Sequence, residues 1–276
     1  MELLDDPVLA DARLLAAFRE VILALVPEGS HVVELGGGTG VLSFFASQRA
    51  RKVRCVERLP DTVATTRQLL RANGATAVEV VEADALNYLP DEPVDVLICE
   101  LLYPALLREK QAQVLSAFKA RHRVRFGRDV PLVIPEATQL AVQPVHQPYD
   151  FAGYHAPVPL FFAPGAAANT QELGPAALYA TLDYAHEYSL RLHGDQRLRS
   201  ERDGTLNALR FVTRNVLGAL PRRSVDWAMH TLVLPLAEPL EVRRGQELRV
   251  TFEYDVGGSV EALTRSLRVS AAWGGM

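Results

Sequence analysis

Residues 32–40 read VVELGGGTG, and no other stretch limits the fold so tightly. An apolar run, Val32-Val33, meets the acidic Glu34 and passes into a turn holding Gly36, Gly37, Gly38 and Gly40. The apolar segment Val41-Leu42-Ser43-Phe44-Phe45-Ala46 follows. That order predicts a strand, a tight turn and the start of a helix. Glycines at such a turn let the backbone approach a ligand closely, and the first helical turn offers free N–H groups. The glycines at 36, 38 and 40 form G-x-G-x-G. A dinucleotide fingerprint needs G-x-G-x-x-G, and position 41 is Val, so the spacing argues against NAD.

Strand and helix patterns alternate around this turn. Helical spacing over 7–26 stops at Pro27-Glu28-Gly29-Ser30. Strand 32–35 and helix 39–50 follow, then strand 52–57 and a helix over 60–73 that stops at Asn73-Gly74. Strands over 78–82 and 94–100 come next, then a helix over 105–122 and a strand over 131–135. Alternation of this kind implies a parallel sheet, whose ligands bind at the carboxyl ends of the strands. Gly36, Glu57, Asp84 and Glu100 fall at or just past such ends and are expected to converge in one crevice. Beyond residue 136 the texture changes. Residues 138–144, 207–217, 230–236 and 247–256 are β-rich, with little helical spacing. The expected organisation is a Rossmann-like parallel-sheet unit over 1–135 and a mostly antiparallel, barrel-like unit over 136–276. An insertion occupies 145–200, within which 174–193 reads as helical.

Composition closes off several classes. No apolar run approaches the roughly 20 residues that span a membrane. The N-terminus opens acidic, without the basic and apolar regions of a signal peptide. A net charge of -4 gives no reason to expect nucleic-acid binding. The two cysteines, Cys55 and Cys99, lie in strand-like runs without metal or redox spacing, as reduced buried thiols of a cytoplasmic protein. His146, His155, His186 and His193 fit no tight metal site, so no metal is expected. The basic cluster from Lys119 to Arg128 reads as a cationic helix C-terminus.

The glycine turn looks like the first motif of class I S-adenosylmethionine (SAM) methyltransferases. Glu57 ends the second strand, where a carboxylate can accept ribose hydroxyls, or be a plain surface residue. Asp84 follows the third strand, where it would meet the adenine amino group or cap a helix. The fourth strand ends in Cys99-Glu100-Leu101-Leu102-Tyr103, with Glu109 closing the loop. This resembles the protein arginine methyltransferase family, whose loop S-E-W-M-G-Y-x-L-x-x-E separates two glutamates by the same interval. Leu132-Val133-Ile134-Pro135-Glu136-Ala137-Thr138 is similar to that family's L-I-F-P-D-R-A-T, and Leu4-Asp5-Asp6-Pro7-Val8 to its M-L-x-D-x-V. The segment from Glu241 to Leu248 is similar to its late barrel hairpin.

The resemblance implies a SAM site built from Glu34, Gly36, Gly38, Thr39, Gly40, Glu57, Asp84 and Ala85. It implies catalytic roles for Glu100 and Glu109, a guanidine- or amine-bearing substrate (protein, peptide or small molecule) and a homodimer. Two carboxylates suit that chemistry. A guanidinium is charged at physiological pH and its lone pairs are delocalised, so it is a poor nucleophile. Carboxylates gripping it draw positive charge to one side and leave lone-pair character on the target nitrogen. Close in-line alignment supplies much of the remaining rate. Glu109 also reads as a solvated helix residue beside Arg108 and Lys110.

Several positions depart from the family pattern. The first-helix Arg aligns with Leu9, the loop's Trp and Met with Leu101 and Leu102, and the late T-H-W with a stretch holding Trp227 and His230. Those departures keep two alternatives open: a small-molecule N- or O-methyltransferase of a biosynthetic pathway, and a catalytically silent SAM-binding scaffold.

Overall fold

The computed structural model describes residues 7–130, 132–166 and 169–271. The N-terminal motif residues Leu4, Asp5 and Asp6 lie outside them. The chain opens with a short helix, α1 (Pro7–Ala10), and a longer one, α2 (Ala12–Leu25). Asp11 caps α2 by accepting from the backbone N–H groups of Arg13 and Leu14, at 2.9 and 3.1 Å. Then come β1 (His31–Leu35), α3 (Val41–Ala46), β2 (Lys52–Glu57), α4 (Pro60–Ala72), β3 (Val78–Glu82) and β4 (Val96–Cys99). A 3-10 turn (Pro104–Leu106), α5 (Gln111–Phe126) and β5 (Leu132–Ile134) complete this half.

β1 to β5 form one parallel sheet in the order β3-β2-β1-β4-β5. Every residue of β1 is buried, as expected of a central parallel strand covered on both faces. On one face, Leu14, Phe18, Val21 and Ile22 of α2 pack with Leu42 and Phe45 of α3 over Val32, Val96 and Ile98. On the other, Leu115 and Phe118 of α5 meet Leu97, Cys99 and Val133. Burial of a side chain such as Phe18 or Ile22 contributes about 1.5–3 kcal/mol.

The second half is built from strands. They are β6 (Ala137–His146), β7 (Asp150–Phe151), β8 (Tyr154–His155), β9 (Leu160–Phe162), β10 (Gln171–Glu172), β11 (Ala177–Asp183), β12 (Arg191–Arg199) and β13 (Gly204–Leu220). β14 (Arg223–Ala228), β15 (Thr231–Val242), β16 (Glu247–Asp255), the helix α6 (Val260–Ser266) and β17 (Arg268–Ala271) follow. The 17-residue β13 pairs antiparallel with β6 along one side and with β15 and then β14 along the other. A second sheet runs β12-β16-β17. The two halves are packed together. A Cβ on Gly218 of β13 would stand 2.7 Å from both Val21 and Leu25 of α2, so this glycine admits the helix to the strand. Glu20 of α2 also pairs with Arg223 of β14.

Two expected helices are corrected. Within 174–193 the regular structure is strand: β11 (from Ala177 to Asp183) pairs with β6, and β12 (from Arg191) pairs residue by residue with β16. Its alanines resemble a helix pattern, but the open edges of β6 and β16 decide the outcome. The helix expected over 105–122 starts only at Gln111. Upstream, Ala105, Leu106 and Arg108 have φ of 56°, 53° and 58°, and Ala105, Leu106 and Leu107 are fully buried or nearly so. An apolar run that looks like a helix face is instead a loop drawn into the core.

Candidate active site

Strand register brings the motifs together. Leu35 is paired with Val56 on one side and Cys99 on the other, so Gly36 lies between Glu57 and Glu100 at the carboxyl end of the sheet. Glu57 in turn is opposite Glu82 of β3, two residues before Asp84. The expected convergence of Gly36, Glu57, Asp84 and Glu100 at one edge is therefore present.

The glycine turn needs its glycines. Gly36, Gly38 and Gly40 have φ of 76°, 50° and 79°, the left-handed region that costs other residues about 1–2 kcal/mol each. The backbone N–H groups of Gly36 and Gly37 both donate to Val56 O at 2.9 Å, tying the turn to β2. A Cβ on Gly36 would reach within 2.6 Å of the Leu101 side chain. The loop that follows β4 is thus packed directly against the turn.

The structure sorts the acidic residues by what holds them. Glu57 accepts from Gly38 N at 3.2 Å through Oε2, and from Arg58 N and Leu59 N at 2.7 and 2.9 Å through Oε1. Three main-chain donors aim this carboxylate at the turn and leave Oε2 with a lone pair for a further donor. Asp84 accepts from Leu86 N at 2.9 Å and from Asn87 Nδ2 at 3.2 Å, capping the turn that contains Ala85. Glu34, expected to meet the cofactor, is buried and accepts from the N–H and hydroxyl of Ser43 in the first turn of α3. A negative charge there stabilises the helix start. Burial of Cys55 pushes its thiol well up, and the Glu34 charge adds to the effect. Thr39 is buried in the turn.

Glu100 is half-buried, whereas Glu109 is exposed and lies ahead of α5. The loop between them is held at many points. Gln111 Oε1 accepts from Leu101 N at 2.8 Å, and its Nε2 donates to Cys99 O at 2.7 Å. Ala105 N donates to Thr213 Oγ1 of β13 at 2.7 Å. The Tyr254 hydroxyl of β16 donates to Ala105 O at 2.9 Å and shares a 2.7 Å hydrogen bond with the Tyr179 hydroxyl. Further along, Gly257 N donates to Leu106 O at 2.7 Å and Arg108 N donates to Gly258 O at 2.8 Å. The Arg108 guanidinium lies 5.2 Å from the Tyr103 ring and 6.0 Å from the Phe161 ring.

Gln111, Thr213 and Tyr254 carry no motif; the partner of Thr213 and Tyr254, Ala105, is more than a hundred residues away. Trp227, singled out without a role, hydrogen-bonds Asp11 at the start of α2 and helps lower the Asp11 pKa, behind the backbone hydrogen bonds of the cap. His230 is exposed. The basic cluster is used internally. Lys119 is buried and donates to Tyr184 O and His186 O, while Arg123 and Arg128 pair with Asp129 and Asp95. Among the described residues no group of three or more His, Cys, Asp or Glu could hold a metal ion. No helix of the described residues is long and apolar enough to cross a membrane.

Residues 32–123 match a family described as methyltransferase domain. The chain shares the fold of solved protein arginine methyltransferase structures. An uncharacterized protein of Methanothermobacter thermautotrophicus is 29% identical over 265 residues, covering 94% of this chain and 95% of that protein. A probable protein arginine N-methyltransferase 6 of Arabidopsis thaliana is 32% identical over 137 residues, which is 48% of this chain and 30% of that protein. Among solved structures, the Trypanosoma brucei PRMT1 enzyme-prozyme heterotetrameric complex with AdoHcy superposes with a TM-score of 0.75 at 18% identity, covering 96% of this chain and 95% of that one.

The carboxyl edge fits the SAM cofactor by its own geometry. The three left-handed glycines add no side chain of their own to the turn, and Glu57 is fixed beside them with acceptor capacity to spare.

Proposed function

We propose that this chain transfers a methyl group from SAM to a nitrogen, with a guanidine as acceptor: arginine in a protein, in a peptide or free. One observation carries the reading. Glu100, the residue after β4, lies next in register to Gly36, and its loop packs against the cofactor turn through Leu101. A carboxylate in that place grips a cationic acceptor beside the methyl donor.

Bound SAM supplies an electrophilic methyl on a sulfonium. Glu57 and the turn orient the nucleoside. Asp84 and Ala85 flank the adenine side, and Gly36, Gly38, Thr39 and Gly40 give the cofactor its close backbone approach. Glu34 acts through α3, by fixing Ser43 and with it the end of the turn. Glu100 accepts from the guanidinium, concentrates its charge away from the target nitrogen and holds that nitrogen in line. Transfer to that nitrogen would leave S-adenosylhomocysteine, and the proton lost from the methylated nitrogen would pass to solvent. Glu109 completes the grip in this reading.

A specific observation favours a second acceptor class. Glu109 is exposed, and the adjacent Arg108 places a guanidinium on Tyr103 and Phe161. That arrangement suits a small-molecule amine or hydroxyl recognised by Glu100 alone. Mass spectrometry of reactions with SAM and free arginine, simple guanidines, an arginine-rich peptide or cell extract separates the two. A one-methyl gain on a guanidine, lost in both Glu100→Gln and Glu109→Gln, supports the guanidine reading. A product formed only from extract, with Glu109→Gln fully active, replaces it with the small-molecule one. SAM binding without product on any acceptor points to a silent scaffold.

A further inference from the structure

We propose that Gln111 is a positioning residue for Glu100, which rests on the reading of Glu100 as the acceptor-gripping carboxylate. Gln111 is the first residue of α5 and has no exposed surface. Its side-chain amide bridges Cys99 O and Leu101 N, at 2.7 and 2.8 Å. These two groups belong to the two peptide planes that flank the Glu100 Cα. Because each peptide unit is planar, pinning both planes fixes φ and ψ of Glu100 and hence the direction of its Cα–Cβ bond. The strand ladders cannot do this, since they end at Leu35–Cys99 and Ile98–Ile134.

The amide is suited to the task. One end donates and the other accepts, so its orientation is fixed: a flipped amide would face carbonyl to carbonyl and N–H to N–H. An apolar residue there removes the amide partner from both main-chain groups and frees the peptide planes to turn. The distant half of the loop is held separately by Thr213, Tyr254, Gly257 and Gly258. Gln111 thus acts on the Glu100 end alone.

The test is a double-mutant cycle on the full chain with SAM and an acceptor found by mass spectrometry. Gln111→Met, similar in length but unable to hydrogen-bond the planes, is expected to lower kcat about 10- to 100-fold, the scale of an ångström of misplacement. Cofactor affinity, read by calorimetry, stays within about twofold. A Phe18→Leu control matched in thermal stability keeps its kcat. If Gln111 acts through Glu100, Gln111→Met adds no loss in a Glu100→Gln background. Losses that multiply in the double variant, or an unchanged kcat in Gln111→Met beside a slow Glu100→Gln, overturn the proposal. A Glu100→Gln variant as fast as the parent overturns the underlying reading instead. If no acceptor is turned over, crystal structures with S-adenosylhomocysteine decide. A Glu100 backbone that turns in Gln111→Met supports positioning, and one that does not move refutes it.

Discussion

Thr213→Val removes one oxygen from the second half of the protein and is expected to weaken a loop attached to the first. Thr213 is buried, and its Oγ1 receives the Ala105 N–H at 2.7 Å. Valine keeps the shape and supplies no acceptor, so a buried N–H is left without a partner, at a cost of about 1–3 kcal/mol. The loop has little reserve against that loss. Ala105, Leu106 and Arg108 are left-handed, together storing roughly 3–6 kcal/mol at about 1–2 each. The tethers at Ala105, Leu106 and Arg108 oppose this strain. Thermal unfolding followed by circular dichroism should show a Tm lower by about 2–4 °C per kcal/mol lost. Thr213→Ser, which retains the oxygen, should recover most of the difference. Tyr254→Phe releases the other side of Ala105, and the two changes should couple rather than add, because they free the same residue. A Thr213→Val protein with the parent Tm, or a strictly additive double variant, would refute the view that these bonds hold a strained loop.

Further outcomes follow from the same geometry. Gly40→Ala forces a left-handed alanine whose Cβ would be 2.8 Å from Thr66 Cγ2; it should lose at least ~1–2 kcal/mol in urea titration and bind SAM more weakly, and a neutral result would discount the turn. Burial holds the pKa values of His31 and His122 below the ordinary value, and His122 Nε2 accepts from Val94 N. The folded state resists protonating them, so as pH falls through about 6.5 the unfolded chain takes up protons first and stability drops. His122→Gln should flatten the change in urea midpoint between pH 7.5 and 5.5, and an unaltered slope would exclude His122 as its source. Burial pushes the thiols of Cys55 and Cys99 well up; a thiol-reactive dye should leave the native protein unlabelled and label both only on unfolding.

The carboxyl edge of the parallel sheet was legible because its signals are local. Glycine spacing, a strand ending in Glu57 and another ending before Glu100 are short-range patterns, and parallel register aligns them. The start of the helix expected over 105–122 differs for the opposite reason. Ala105, Leu106 and Leu107 have apolar spacing that a helix would satisfy, but Thr213, Tyr254 and Gly258 compete for that backbone from more than a hundred residues away. The insertion shows the same effect, since β11 exists by pairing with β6 across a gap in sequence that no local propensity reports. Glu34 enters the expected cofactor site through the resemblance; its contact with Ser43 is visible only once α3 is packed against β1.

The tethers of the 100–109 loop also imply an order of events during synthesis. Residues 31–134 contain the whole parallel sheet and the glycine turn. Thr213, Tyr254, Gly257 and Gly258 emerge from the ribosome only after a further eighty to one hundred and twenty or so residues, a separation that makes their contacts slow to close. A nascent chain can therefore acquire the geometry of a methyl-donor site before the acceptor loop has anything to hold it. On the proposed function, the capacity to bind the donor precedes the capacity to direct it, and the final strands supply the contacts that fix the loop.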